Sequence, residues 1–395
     1  VLTNDDAAPG LTLIKSVTND DGGMAAAADF VLRLTGGAYD GTEVFTSNDN
    51  PPVESNVEYT LSEDAKTGYT ETGIACVDNL LQVPVPHPVT LDEGESVTCT
   101  ISNDDDQPLL TLQKIVITDS GGVAVNTDWT LTATGTPTIS GVDGDIAISG
   151  AEVNAGNFTL SESNGPSGYL ASAWECTGMT DSALNGNILT MALGENVTCT
   201  ITNDDVAPGL TLFKSVTNDN GGNALPDDFL LTVNGGAVLS GVSNDYPANT
   251  PLAINETLLP GYTFVSITGD DKCPTVLGGT VTLAEGDAVV CTITNDDVAP
   301  KLTLVKDPTN DNGGSAAQDD FLLTVDGGAV LSGVSNEYLA NTSLAINETL
   351  LPGYTFVSIT GDDKCPTALG GTVTLDEGDD ITCTITNDDV APKLT

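Results

Sequence analysis

The chain has 395 residues, more than one hydrophobic core ordinarily serves, and its 57 acidic against ten basic residues leave a net charge of −47. No basic patch exists that could follow a phosphate backbone, so nucleic acid and anionic membrane are poor partners and cations are good ones. The longest apolar runs are strand-sized, which excludes a membrane-spanning helix in this stretch; any signal peptide, lipidation motif or wall-anchoring tail lies outside it or is absent.

Along the chain the text repeats. Lysines that follow Leu-x-Leu-x stand at 15, 114, 214 and 306, which are 99, 100 and 92 residues apart, so the chain reads as four tandem domains of ordinary size. Residues 1–8 read as the tail of a preceding repeat, 9–107, 108–207, 208–299 and 300–391 as the four repeats, and 392–395 as the start of another. Either the array is longer than this stretch or its ends complete neighbouring subunits by strand donation.

Each repeat is built of short alternating runs of Val, Thr, Ile and Leu bounded by Gly, Asn, Asp and Pro, with no sustained helical period. This predicts an all-β chain of four antiparallel β-sandwiches or partly open barrels, about seven strands each. In the first repeat the clearest strands are Leu11–Lys15, Phe30–Leu34, Tyr59–Glu63 and Val97–Asn103. Asn-Asp-Asn-Gly-Gly and Leu-Pro-Gly-Tyr segments supply turns that tolerate positive φ. Short Ala-Pro junctions such as Thr202–Leu212 predict stiff connections, hence a rod.

Eight cysteines fall two per repeat. The economical pairing is Cys76 with Cys99, Cys176 with Cys199, Cys273 with Cys291 and Cys365 with Cys383, and it points to an oxidising compartment. Thiolate metal sites are the alternative, but no Cys-x-x-Cys occurs and His87 is the lone histidine.

Strand parity carries the chemistry. Residues two apart share a face, so Leu11, Leu13 and Lys15 point to one side, and Lys114, Lys214 and Lys306 follow their own leucines inward. The same parity turns Glu63, Glu162, Glu256 and Glu348 inward behind Tyr59 and Leu61 and their counterparts. It also turns Asn103, Asn203, Asn295 and Asn387 inward at the end of each repeat's last strand.

Three polar groups facing one core are costly unless they pair or react. Burial lowers a lysine's pKa and raises a glutamate's, so a neutral amine can attack the asparagine carbonyl while the glutamic acid polarises it and shuttles protons. Ammonia leaves and an amide cross-link remains, in a step made unimolecular by the fold, where effective molarities of about 10⁵ M are known. The alternative is a snorkelling lysine, ion-paired to the glutamate, with the asparagine merely opening a turn.

The segments Leu-Thr-Leu-Ile-Lys15, Tyr-Thr-Leu-Ser-Glu63 to Gly68-Tyr69, Ile-Asn-Glu256 to Pro260-Gly-Tyr262 and Ile-Asn-Glu348 to Pro352-Gly-Tyr354 resemble SpaA-like, prealbumin-fold domains, similar to the B-type repeats of collagen adhesins and to Gram-positive pilin modules. The resemblance covers all four repeats. It implies intramolecular Lys–Asn isopeptide bonds between first and last strands, with the glutamate as catalyst.

At each junction Asn-Asp-Asp precedes an Asp/Asn loop of the following repeat. Asp104, Asp105, Asp204, Asp205, Asp219, Asp296, Asp297 and Asp311 thus offer hard oxygens that suit Ca²⁺ bridging a junction, the alternative being solvated turns. No cofactor is required. The expected role is a structural segment of an extracellular bacterial surface filament or stalk, partnered by copies of itself or further repeats, and not an enzyme acting on an external substrate. The rival role is an adhesin for a host or matrix ligand, with the insertion Gly135–Glu152 as its candidate loop.

Overall fold

The structure, a computed structural model, describes residues 6–393. Residues 1–5 and 394–395, which belong to the expected tail of a preceding repeat and the start of a further one, lie outside the described residues. Repeat one contains β1 (Gly10–Thr18), β2 (Leu32–Gly36), β3 (Tyr39–Asp40), β4 (Glu58–Glu63), β5 (Tyr69–Asp78), β6 (Pro84–Val85), β7 (Val89–Thr90) and β8 (Ser96–Asp105). One sheet has the order β1-β8-β5-β6 and the other β3-β2-β4-β7. Repeats three and four also have two four-stranded sheets each, but the extra edge strand pairs with the first strand instead of standing in the place of β6, and repeat two has two five-stranded sheets. The chain is all-β as expected; helical turns among the described residues are three-residue 3-10 segments.

The alternation of the sequence produces this layering. Leu11, Leu13, Leu32, Leu34, Tyr59, Leu61, Val97, Cys99 and Ile101 close one core, and each of the other repeats has its own. The predicted strand Phe30–Leu34 begins later than expected, at Leu32, because Phe30 ends a 3-10 turn at Ala27–Asp29. Asp29 accepts from the Ala26 N–H at 2.8 Å and shapes that turn.

One pairing departs from the antiparallel expectation. β1 and β8 run parallel, with Lys15 opposite Ile101 and Asn103 opposite Val17. The first and last strands pair in the same way in the other three repeats. Parallel neighbours need a long connection, and here the rest of the domain provides it. Because both strands end on the same side, the last strand leaves a repeat where the first strand's following loop sits.

Each repeat holds one disulfide, with the expected pairing: Cys76–Cys99, Cys176–Cys199, Cys273–Cys291 and Cys365–Cys383. In repeats one and two the cysteines face each other across an antiparallel pair, tying the last strand to its neighbour within one sheet. In repeats three and four the first cysteine lies in the turn just past that neighbouring strand.

Candidate cross-link site

All twelve residues of the triplet lie where parity puts them. The four lysines are among the most buried polar residues of the chain, with side chains 0% exposed, so none of them snorkels. Each meets the glutamate of its own repeat: Lys15 and Glu63 at 2.7 Å, Lys114 and Glu162 at 2.7 Å, Lys214 and Glu256 at 3.0 Å, Lys306 and Glu348 at 2.9 Å. The asparagines are equally deep, Asn295 and Asn387 being fully buried.

In repeat one the three groups close a ring. Lys15 Nζ donates to Asn103 Oδ1, Asn103 Nδ2 donates to Glu63 Oε1 at 2.5 Å, and Glu63 Oε2 faces the amine. The glutamate therefore touches both the group that would attack and the group that would leave. Asn387 Nδ2 donates to Glu348 Oε1 in the same way.

Repeat three holds the same residues with fewer partners. Lys214 Nζ and Glu256 Oε2 have only their 3.0 Å ion pair, and Glu256 Oε1 and both polar atoms of Asn295 are buried without a hydrogen-bond partner among the described residues. So many unsatisfied atoms in one core are rare in native proteins, each costing on the order of 1–3 kcal/mol.

Burial pushes the amines of Lys114, Lys214 and Lys306 below the ordinary lysine value, and the neighbouring glutamate only partly opposes it. An aromatic ring closes the fourth side. Nζ stands over Phe30 at 4.4 Å, Trp129 at 4.8 Å, Phe229 at 4.3 Å and Phe321 at 4.3 Å. Each ring meets the tyrosine of the Gly-Tyr turn edge-on: Tyr69, Tyr169, Tyr262 and Tyr354. The sequence reading missed this wall, although an Asp-Phe or Asp-Trp pair places its aromatic fifteen residues after every lysine.

The aspartates are brought together differently from the expectation. Carboxylate oxygens within 4.8 Å of one another form four groups: Asp20, Asp104 and Asp105; Asp119, Asp204 and Asp205; Asp219, Asp296 and Asp297; Asp311, Asp388 and Asp389. Each group belongs to a single repeat, whereas the second loop was expected from the following repeat. The cause is the parallel pairing, which sets Thr18 opposite Asp104 and so delivers the loop after β1 to the end of β8.

In three of the groups the inward aspartate is a loop clamp. Asp105 accepts backbone N–H groups of Asp20, Asp21 and Gly23, Asp297 those of Asn220 and Gly222, and Asp389 those of Asn312 and Gly314. The tyrosine hydroxyl completes the clamp: Tyr262 donates to Asn218 at 2.7 Å and accepts from the Ala224 N–H at 2.9 Å.

No curated protein matches the chain. Among solved structures, the TIE protein of Bacillus anthracis is 16% identical with a TM-score of 0.44, over 91% of this chain and 66% of that one. This chain thus spans just under two thirds of that structure's length. Two B repeat units of the Staphylococcus aureus collagen binding protein align at 14% identity and TM-score 0.19, over 98% of this chain and 100% of that one. The major pilin protein T-13 of Streptococcus pyogenes aligns at 15% identity and TM-score 0.24, over 48% and 97%. The model of the prealbumin-like fold domain matches four times, over residues 5–101, 105–201, 205–293 and 297–385, so the chain belongs to that family as a tandem array of four domains.

Proposed function

We propose that the chain is a load-bearing segment of an extracellular bacterial surface filament or stalk, each of whose domains closes a Lys–Asn isopeptide bond upon itself. The observation that carries this reading is the buried set of Lys214, Glu256 and Asn295, an ion pair at 3.0 Å beside an asparagine whose amide has no hydrogen-bond partner among the described residues. Cross-linking turns an amine and a primary amide into one secondary amide, which leaves two polar atoms, one N–H and one C=O, in place of three.

The reaction balances without a cofactor. The Nζ lone pair attacks Cγ of the asparagine, the new N–C bond forms, and the bond from Cγ to Nδ2 breaks. Glutamate takes a proton from Nζ and delivers one to Nδ2, which leaves as ammonia. The aromatic ring keeps water from the amine, and the burial that lowers the pKa of Lys114, Lys214 and Lys306 favours the neutral, attacking form there. Each site turns over once, so the chain is not an enzyme toward an external substrate.

The cross-link joins the two parallel strands that carry the chain into and out of each repeat. Tension applied along the chain would pass through that bond and bypass most of the core. The disulfide fastens the last strand on its other side. An adhesive role is the alternative reading. Its candidate insertion Gly135–Glu152 sends Ile139 and Ile148 into the core of repeat two, which argues against a free ligand loop.

Exact mass of the intact, unreduced chain tests the proposal. A mass lighter than theory by one ammonia per repeat, beyond the hydrogens lost to disulfides, is expected; a mass with every ammonia retained overturns it.

A further inference from the structure

One backbone hydrogen bond sets repeat one apart from the other three. The strands that carry the glutamates each pair with a short neighbour: Tyr59 lies opposite Val89, Phe158 opposite Leu189, Leu252 opposite Val281 and Leu344 opposite Val373. Two residues further along, the same register sets Leu61 against His87, Leu160 against Asn187, Ile254 against Gly279 and Ile346 against Gly371. In repeats two, three and four the N–H at that place donates to a backbone carbonyl: Leu160 to Asn187 at 2.8 Å, Ile254 to Gly279 at 3.0 Å and Ile346 to Gly371 at 2.9 Å. In repeat one the Leu61 N–H donates to His87 Nε2 at 2.9 Å. The chain's lone histidine, flanked by Pro86 and Pro88, does with its ring what a carbonyl does elsewhere.

That bond anchors the strand beside the glutamate. Leu61 and Glu63 share the inward face of β4, and Glu63 touches both Lys15 and Asn103. On one edge β4 is paired with β2 as far as Glu63, which lies opposite Leu32. On the other edge the ladder with β7 ends at Tyr59, and the next N–H on that side is the one His87 receives. Loosening this edge therefore loosens the placement of Glu63 against its two partners.

An imidazole accepts only through an unprotonated nitrogen, so this bond requires a neutral ring with its proton on Nδ1. A backbone carbonyl accepts at any pH. Histidine ordinarily titrates at about pH 6.5, and on protonation Nε2 becomes a donor facing a donor. The strands around His87 carry no cation to oppose this. On β4 the titratable groups are Glu58, which is exposed, Glu63, and Tyr59, whose hydroxyl accepts the Glu54 N–H at 2.9 Å. On β5 the acidic groups are Glu71, which is exposed, and Asp78, which accepts the N–H groups of Leu80 and Leu81; β6 and β7 have no charged residue. Arg33, on β2 beyond β4, is paired with Asp64 at 2.6 Å.

We propose that His87 is a positioning residue for Glu63 and a proton-operated latch of repeat one: neutral, it holds the edge of β4 that presents Glu63 to Lys15 and Asn103; protonated, it releases that edge. The stability this bond supplies is present above the ordinary histidine range and is lost as pH falls through it, because the unfolded chain then binds a proton that the latched ring does not. The effect on bond closure rests on the cross-link reading, whereas the latch itself does not.

Hydrogen exchange of the full chain reads the latch against three internal controls. From pH ~7.5 to pH ~5, after correction for intrinsic exchange, protection of Glu58–Glu63 should fall roughly tenfold more than that of Gly156–Glu162, Pro251–Thr257 and Ser343–Thr349, the worth of one backbone hydrogen bond. His87→Gln, whose side-chain carbonyl accepts at either pH, should keep protection at both, and His87→Ala should lack it at both. Closure of the Lys15–Asn103 bond, followed by mass as unfolded, unlinked chain refolds, should slow at the lower pH by more than closure in the other repeats, and His87→Gln should abolish the excess. Protection of β4 that follows the three control strands, or a His87→Gln chain that loses it like wild type, would overturn the latch. Closure slowed equally in all four repeats would overturn the positioning role. Absence of closure in every repeat, with the exchange result as expected, would remove the cross-link reading and the positioning role together and leave the latch standing.

Discussion

Lys15 and Asn103 lie on adjacent parallel strands with each opposite the other's second neighbour, Lys15 against Ile101 and Asn103 against Val17. That diagonal, set inward by parity on both strands, brings an amine to an amide that is 88 residues away in sequence. Glu63 spans the two from the facing sheet. Every repeat reproduces the register.

In the proposed reaction the glutamate carries the proton, so its removal should stop cross-linking while leaving the fold. Glu256→Gln is expected to give a chain heavier than wild type by one retained ammonia, less the small mass difference of the substitution itself. The other three repeats should stay cross-linked. Intact mass and a map of repeat three check this, and an unchanged cross-link in Glu256→Gln would remove the assigned role.

Burial sets a pH dependence that an uncross-linked repeat should display. In Asn295→Ala the Lys214 amine stays free, with its pKa lowered from 10.5 by desolvation against the partial opposition of Glu256. Between that lowered value and 10.5 the unfolded chain binds a proton that the folded repeat does not. Stability therefore rises with pH through this window and levels off above it. Denaturant melts of the variant at stepped pH provide the check; a flat or falling profile would count against desolvation as the main influence.

Phe229 walls the amine at 4.3 Å and packs edge-on against Tyr262. Truncation to alanine should cost the repeat about 3–5 kcal/mol in its unreacted form, as large-to-small core changes do. Phe229→Leu keeps most of the volume but loses the ring. It should slow bond formation, seen as a mixture of reacted and unreacted mass soon after synthesis. Full cross-linking at wild-type speed in Phe229→Leu would reduce the ring to packing alone.

The disulfide and the proposed isopeptide bond would fasten opposite edges of the same strand. Reducing Cys365–Cys383 should lower stability by about 2–4 kcal/mol where the repeat is otherwise unlinked. With the isopeptide bond intact, the strand Asp380–Asp389 should stay protected from hydrogen exchange after reduction. In Asn387→Ala it should lose protection once reduced. Equal exchange in the two reduced proteins would argue against a second clamp.

Much of the site was legible because a strand's alternation is short-range and leaves its mark on the text. Leucines at i−4 and i−2 declare which way Lys214 points, and the same rule holds for Glu256 and Asn295. The clamp that Asp105 makes was not legible, since its partners are backbone N–H groups of a loop 82 to 85 residues earlier and leave no local mark on the text. The parallel pairing of first and last strands was equally hidden, since it depends on how the whole domain folds between them. Phe30, Trp129, Phe229 and Phe321 left a constant spacing from their lysines, but a buried aromatic is ordinarily core and nothing local links it to an amine.

The most direct measurement is tandem mass spectrometry of the digested, reduced chain, seeking branched peptides in which the segment containing Lys214 is joined to the segment containing Asn295, and likewise for the other three pairs. The expected result is four branched species, each lighter by one ammonia than its two parts. Recovery of all eight segments as separate linear peptides, with Lys214 and Asn295 unmodified, would contradict the cross-linked reading.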